Sequence, residues 1–210
     1  MFEIFIFVNP IGIYCYDTEV SIKTAIDDLD INSTLHFVPI TNVSVIKEDI
    51  IRRKKERQRM KDLSQYTMAS FQALRDYHAI KFIYGNKKAR SYLLSFQQAV
   101  SRDFNHYTRN LARQVALNLD LDYDKIIDSK IKGYVDDSIQ QDKNLARKFN
   151  VRNIPTTIIF NESGNYNGIL LEGAVAHDKL ITLLKNTGCI EPTAEDQEDS
   201  YSTISHLRLI

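Results

Sequence analysis

The feature that most constrains this 210-residue chain is an apolar run near its start that leads directly into a cysteine-containing turn. Residues 2–8 alternate imperfectly and are rich in Phe, Ile and Val, which is typical of a strand buried on both faces. The segment from Asn9 to Tyr16 follows, and beyond it apolar residues recur at helical spacing. The sequence therefore predicts a strand, a tight connection and a helix, with Cys15 at the start of the helix.

A second apolar run at residues 34–40 predicts another strand, which would pair in parallel with the first across the helix as a right-handed βαβ unit. Strand signals then vanish until about residue 128, and Lys, Arg, Gln, Ala, Leu and aromatic residues recur every three or four positions. This pattern predicts a helical block, with Gly85-Asn86 among its breaks. The predicted helices span residues 47–63, 64–83, 88–100, 107–119, 123–130 and 135–149.

Strand signals return at residues 154–160 and 167–171, and the turn residues at 161–165 between them predict a hairpin. A final helix is predicted at 177–186. The order is therefore βαβ, a helical block, then ββα. We assign residues 1–40 and 130–188 to one domain, 41–129 to an inserted helical subdomain, and 189–210 to an acidic, mobile tail.

Composition excludes several classes of protein. Formal net charge is zero and 43% of residues are apolar, so no global field favours nucleic acid or an anionic membrane. Glu3 interrupts the first apolar run, which argues against a secretory signal, and no segment resembles a membrane span. A cytoplasmic location is the resulting expectation, and Cys15 and Cys189 are expected to be thiols there.

The strand-to-helix turn, the long helical block and the later segment Asn153-Ile154-Pro155-Thr156 together resemble the DsbA-like branch of the thioredoxin superfamily. This resemblance implies an α/β, thioredoxin-like fold (βαβ…ββα) with a long all-helical insertion. It also implies that Ile154-Pro155 is the cis-proline that faces the redox turn in that superfamily. The alternative is a trans proline at a strand start, where its missing N–H is harmless.

The same resemblance implies a degenerate redox site. Gly12 stands where the attacking first cysteine of a Cys-x-x-Cys pair would be, and Cys15 occupies the second, resolving position. Dithiol exchange needs both thiols, so no catalytic residue is predicted, with Cys15 as the candidate if the protein is redox-active. Cys15 is either a small packed hydrophobe or a lone reactive thiol near a helix start. No metal site and no cofactor are predicted.

Within that branch, Asn-Pro followed by a short motif and an aromatic residue is most similar to the YjbH/SpxH proteins of low-GC Gram-positive bacteria. Those proteins are adaptors that present the transcription regulator Spx to the ClpXP protease. The resemblance thus implies Spx and ClpXP as partners. A cis-proline would expose the backbone of Ile154 for strand-like pairing with an extended peptide, and Gly12 would leave room for it. The predicted partner-binding residues are Gly12, Ile13, Tyr14, Cys15, Tyr16, Ile154 and Pro155.

Two other features have competing interpretations. Residues 52–61 hold seven positive side chains and one negative, but most such runs are solvated helix faces, and nucleic acid is not the expected partner. Docking of these cations to an acidic partner, or to the chain's own acidic tail, is the intermediate interpretation. The five histidines lack metal-ligand spacing and are expected to be polar surface residues, although a long-range cluster is not excluded by sequence.

The function that these features predict is a redox-inactive adaptor for Spx degradation. The alternative is an enzyme of the same branch, a single-cysteine thiol-disulfide or glutathione-dependent oxidoreductase or isomerase that uses Cys15 or the helix start beside it. Glutathione binding and insulin reduction by the wild type and by Cys15→Ser separate the two. The oligomeric state is not determined by any of these features.

Overall fold

A computed structural model describes residues 1–55, 63–102, 107–161, 168–189 and 207–209 of the chain. Strands occupy both ends of the described sequence, and helices fill its middle. In chain order the elements are β1 (Phe2–Val8), α1 (Cys15–Leu29), β2 (Ser33–Pro39), α2 (Val43–Lys55), α3 (Leu63–Arg102), α4 (Arg109–Leu117), α5 (Tyr123–Lys130), α6 (Gly133–Lys148), β3 (Thr156–Asn161), β4 (Ile169–Glu172), α7 (His177–Cys189) and β5 (Leu207–Leu209).

The strands form one mixed sheet in the order β2-β1-β3-β4-β5. β1 pairs in parallel with β2 across α1, as predicted, and antiparallel with β3. Its apolar composition fits its position between β2 and β3, because both edges of β1 are paired and most of its residues are buried. β3 and β4 pair antiparallel as the predicted hairpin strands, while the predicted turn at 161–165 lies, apart from residue 161, outside the described residues.

The predicted helices all occur, with shifted ends. α2 begins at Val43, four residues before the predicted start at 47. The predictions at 64–83 and 88–100 merge into α3, in which Gly85 alone has non-helical angles, with φ 82° and ψ 172°. Glycine tolerates a positive φ because it has no β-carbon, so the predicted break is a kink between two helical stretches.

One continuous core joins the sheet to the helical block. Buried side chains from β1 and β3, such as Ile4 and Ile158, belong to the same cluster as Leu74, Tyr92 and Phe96 from α3. The structure confirms a thioredoxin-like fold with a large helical region. The proposed division into a domain and an inserted subdomain stays a prediction.

Three residues of the predicted mobile tail pair with the sheet. Leu207–Leu209 form β5, which pairs antiparallel with β4 in the register Ile169↔Leu209. Without β5, the edge of β4 that faces away from β3 would have unpaired backbone N–H and C=O groups. β5 pairs with this edge and supplies their hydrogen-bond partners. Residues 190–206 and 210 of the predicted tail lie outside the described residues.

Candidate functional site

Asn9 closes the turn that follows β1. Its carbonyl oxygen accepts a hydrogen bond from Gly12 N at 2.9 Å, and its Oδ1 accepts one from Ile11 N at 3.3 Å. Asparagine favours such turns because its short side chain reaches the backbone two residues on. α1 then begins at Cys15, directly after Tyr14. The chain therefore has the predicted strand-turn-helix arrangement, with Cys15 as the first helical residue.

Gly12 and Cys15 pack against each other inside this turn. A β-carbon built at position 12 would lie 2.6 Å from Cys15 Sγ, closer than real β-carbons approach another atom. The Cys15 side chain is 1% exposed, and its Sγ accepts a hydrogen bond from Asn9 N at 3.3 Å. The thiol therefore fills the space that a side chain at position 12 would need, and only glycine fits without a shift.

Burial makes Cys15 a poor nucleophile. Loss of solvation raises the pKa of the Cys15 thiol well above its usual value, and the nearby Asp49 carboxylate raises it further. The hydrogen bond from Asn9 and the charge of Arg52 oppose this shift without reversing it. Because the thiolate is the reactive species, the neutral, enclosed thiol favours the packed-hydrophobe interpretation over the reactive one.

Cys15 is therefore expected to resist alkylation in the folded protein. In a Cys189→Ser background, iodoacetamide at pH 8 should modify Cys15 at least about a hundredfold more slowly than in the urea-unfolded chain, because both burial and the raised pKa act against the thiolate. Mass spectrometry of timed samples measures this ratio. Equal rates in the folded and unfolded states would contradict the enclosed thiol.

Charged side chains of α2 contact the turn that follows β1 directly. Asp49 Oδ1 accepts a hydrogen bond from Ile13 N at 2.9 Å, and Arg53 Nη2 donates to the carbonyl oxygen of Ile11 at 2.6 Å. Arg53 Nε also pairs with Asp49 Oδ2 at 2.7 Å. Tyr66 Oη, from α3, donates to the same carboxylate. This carboxylate thus joins the turn, α2 and α3.

α2 also contacts the cis-proline loop, the segment before β3 that contains Ile154 and Pro155. The Ile154-Pro155 peptide bond is cis, as the resemblance implied. Arg52, next to Arg53 on α2, donates a hydrogen bond from its guanidinium to the carbonyl oxygen of Ile154. Arg52 Nη2 also lies 3.3 Å from Glu48 Oε1. A single helix therefore binds backbone groups of both the turn and the cis-proline loop.

The predicted partner-binding residues differ in their accessibility. Gly12, Cys15, Ile154 and Pro155 are buried, and Ile13, Tyr14 and Tyr16 are half-buried. The backbone carbonyl of Ile154, which was expected to be open for pairing, already accepts a hydrogen bond from Arg52. Only the second group of side chains offers accessible surface at the turn in the conformation described.

Sequence reasoning missed the roles of Asp49, Arg52, Arg53 and Tyr66. The basic run was assigned to a solvated face, and that is wrong for Arg52 and Arg53, while Lys54 and Lys55 are exposed. Residues 56–61 of the run lie outside the described residues. Asp49 and Arg53 are four residues apart, a spacing that predicts an ion pair within the helix. It does not predict the hydrogen bonds that these two side chains form with the turn.

The expectation of surface histidines is wrong for His78. Its side chain is 0% exposed, its Nδ1 lies 2.8 Å from Ser138 Oγ, and its Nε2 lies 3.6 Å from Asp142 Oδ2. Burial lowers the pKa of His78 to about 3, so the imidazole is neutral at physiological pH. His106 and His206 lie outside the described residues.

A buried acid lies one helical turn beyond Cys15. Glu19 is 1% exposed, and neither of its carboxyl oxygens has a hydrogen-bond partner within normal geometry among the described residues. Burial raises the pKa of Glu19 to about 8, and the nearby Gln97 amide offsets only part of the shift. At neutral pH the interior behind the turn therefore holds a neutral carboxylic acid and a neutral thiol.

Comparison with known proteins agrees with this geometry. The family model described as thioredoxin matches residues 5–181. This chain belongs to the thioredoxin family. The match includes the turn, the helical block and the cis-proline loop, and ends within α7. No protein in the curated set matches the sequence.

Several solved structures, DsbA-like proteins among them, share the fold of this thioredoxin-family chain. The thiol-disulfide exchange protein alpha-DsbA2 of Wolbachia pipientis is 17% identical, with a TM-score of 0.59 over 89% of this chain and 81% of that one. A thioredoxin-like oxidoreductase of Silicibacter pomeroyi is 14% identical, with a TM-score of 0.58 over 89% and 86%. DsbA2 of Pseudomonas aeruginosa is 13% identical, with a TM-score of 0.58 over 89% and 88%. At these identities the likeness establishes the fold.

The described residues of this thioredoxin-family protein contain neither a metal-binding cluster nor a membrane-spanning helix. No group of three or more His, Cys, Asp or Glu side chains in that part of the chain is arranged to hold a metal ion. None of its helices, over the same residues, is long and apolar enough to cross a membrane.

Proposed function

We propose that this DsbA-like protein is a redox-inactive adaptor that binds the Spx transcription regulator and promotes its degradation by the ClpXP protease in the cytoplasm. The enclosed thiol of Cys15 is the observation that supports the absence of redox activity. This thiol packs against Gly12, which stands where the first cysteine of a Cys-x-x-Cys pair would be. The choice of Spx and ClpXP as partners rests on the resemblance of the segment from Asn9 to Tyr16 to YjbH/SpxH proteins.

The mechanism would be scaffolding. An adaptor that binds both substrate and protease raises the effective concentration of one at the other, and binding can also favour a substrate conformation with an accessible degradation signal. Neither step transfers electrons, so a turn without the first cysteine can still support both. The half-buried side chains of Ile13, Tyr14 and Tyr16 supply apolar and aromatic surface for such a contact.

The deciding experiment is degradation of purified Spx by ClpXP with and without this protein. We expect substoichiometric amounts to accelerate the loss of Spx, because a recycling adaptor is not consumed. The Cys15→Ser variant should accelerate it equally, since the proposed mechanism uses no thiol. Absence of both binding and acceleration would refute the proposal.

Interface variants refine the same assay. Tyr14→Ala and Ile13→Ala are expected to weaken Spx binding, because both side chains are half-buried at the turn, while Val20→Ala, a 39% exposed position on α1, serves as the matched control. Normal binding by folded Tyr14→Ala and Ile13→Ala variants would move the interface elsewhere on the protein. Glutathione binding or insulin reduction that is lost in Cys15→Ser would instead support the enzymatic alternative.

A further inference from the structure

A cavity of about 220 Å³ lies beside β2 and is lined by side chains of β1, β2, α3 and α6. β2 is an end strand of the sheet, with β1 on one side and no strand of the described part of the chain on the other. On that open side Tyr77 Oη, from α3, donates a hydrogen bond to the carbonyl oxygen of Phe37 at 3.2 Å. A helix therefore covers this edge in place of a strand, and the cavity remains between them.

The kink at Gly85 brings two stretches of α3 to this cavity. Tyr77 and Lys81 come from the stretch before the kink, and Asn86 and Arg90 come from the stretch after it. Lys81 and Arg90 are separated by about two and a half helical turns, so they would lie on opposite faces of an uninterrupted helix. The non-helical φ of 82° and ψ of 172° at Gly85 allow both side chains to line one cavity.

The cavity contains one positive charge that no side chain of its lining balances. Lys81 Nζ lies 3.6 Å from Oδ1 of the buried Asp142, so these two charges pair. Arg90 is half-buried, and it forms no salt bridge or hydrogen bond with the residues that the structure describes. Its guanidinium lies over the Phe37 ring, 5.4 Å from the ring centroid. The donors of the guanidinium therefore remain available to an anion in the cavity.

The rest of the lining limits which anion fits. Much of the wall is apolar and is formed by Phe5, Leu35, Phe37, Val38 and Leu145. A bound molecule therefore needs an apolar body. It should carry a single negative charge, because only Arg90 is unbalanced and the Asp142 carboxylate would repel a second one. His36 also lines the cavity, and Glu3 Oε1, 3.1 Å from its Nε2, would balance a proton there.

We infer that this cavity is a binding site for a small organic monocarboxylate with an apolar or aromatic body, whose carboxylate pairs with the Arg90 guanidinium. The planar fork of an arginine matches the two oxygens of a carboxylate. Asn86, one helical turn before Arg90, offers a side-chain amide in the same lining. The site goes beyond the proposed adaptor function, since it shares no residue with the turn that follows β1 or with the cis-proline loop.

The direct test is titration of the isotope-labelled full chain with sodium benzoate, followed by the NMR shifts of its backbone amides. We expect saturable shifts at residues 35–38, 77–90 and 142–145. Affinity for benzoate should fall about tenfold in Arg90→Met, which keeps an aliphatic side chain but loses the charged pair. Lys87→Met removes an equal charge from an exposed position on the same stretch of α3, and it should bind benzoate like the wild type.

Benzylamine and inorganic phosphate are the matched ligands, because the first reverses the charge of benzoate and the second lacks an apolar body. Both should bind more weakly than benzoate. Equal benzoate affinity of the wild type and Arg90→Met would overturn the inference, as would tighter binding of either matched ligand or the absence of saturable shifts at these residues. Circular dichroism confirms folding. If Arg90→Met does not fold, Arg90→Lys replaces it, and the loss of the planar fork should still weaken benzoate binding.

Discussion

Replacing Glu19 by glutamine is expected to stabilise the folded protein at pH 8 by up to about 4 kcal/mol. Burial raises the pKa of this carboxyl from 4.5 to about 8, and each unit corresponds to about 1.4 kcal/mol. Glutamine has nearly the same shape and never ionises. The variant therefore avoids the penalty of placing a carboxylate in the core behind the turn.

The direction of the pH dependence follows from proton binding. Between about pH 4.5 and 8 the folded state keeps the Glu19 proton while the unfolded chain has released it, so wild-type stability falls as pH rises through this window. Below pH 4.5 both states are protonated and the contribution of Glu19 does not change. The advantage of Glu19→Gln over the wild type should thus be small at pH 4 and largest at and above pH 8.

Urea unfolding at pH 4, 6 and 8 measures this difference. Asp17→Asn is the matched control, because Asp17 is an exposed acid on the same helix. We expect Asp17→Asn to change the free energy of unfolding at pH 8 by far less than Glu19→Gln, because the side chain at position 17 is exposed to solvent in the folded protein. A constant difference between the wild type and Glu19→Gln across this range would show that Glu19 ionises normally in the folded state.

Replacing Lys130 by methionine is expected to destabilise the protein by about 3 to 5 kcal/mol, the usual cost of breaking a buried ion pair. Lys130 is 6% exposed and its Nζ lies 2.5 Å from Oδ1 of Asp76, which is 0% exposed. Burial raises the pKa of Asp76, and Lys130 is the main group that opposes this shift. Without the ammonium group, Asp76 is either a buried unpaired carboxylate or takes up a proton.

The double variant Asp76→Asn/Lys130→Met should recover most of the lost stability, because it removes the second charge along with the first. Lys132→Met, at an exposed position two residues along, is the control for loss of a lysine. Urea unfolding of the wild type, Lys130→Met, Asp76→Asn and the double variant gives the coupling free energy between the two side chains. If Lys130→Met costs no more than Lys132→Met, Asp76 and Lys130 do not form the ion pair described.

The outline of the fold could be predicted from local pattern. The alternation at residues 2–8 and the helical spacing beyond Tyr16 locate β1 and α1, and Gly85 marks the kink in α3. These features depend on residues close together in the chain, where propensity and periodicity act directly. The observed ends of the helices differ from the predicted ends by a few residues, because capping contacts and packing, rather than periodicity, decide where a helix stops.

The candidate site could be predicted only in part. Asn9, Gly12, Cys15 and Pro155 were identified from their types and order in the chain. Arg52 was not, because its hydrogen-bond acceptor is the carbonyl of Ile154, 102 residues away. A run of cations looks the same in sequence whether it faces solvent or binds a backbone carbonyl across the fold. Burial of His78 escaped prediction for the same reason.

The sequence by itself determined the order of strands and helices and the absence of a second thiol in the turn, since both follow from residue type and local spacing. The tertiary structure alone decided that Cys15 is enclosed, that Glu19 is neutral at physiological pH, and that α2 binds the turn and the cis-proline loop. Those properties arise where distant segments meet, because solvation and hydrogen bonding depend on what surrounds a group in space.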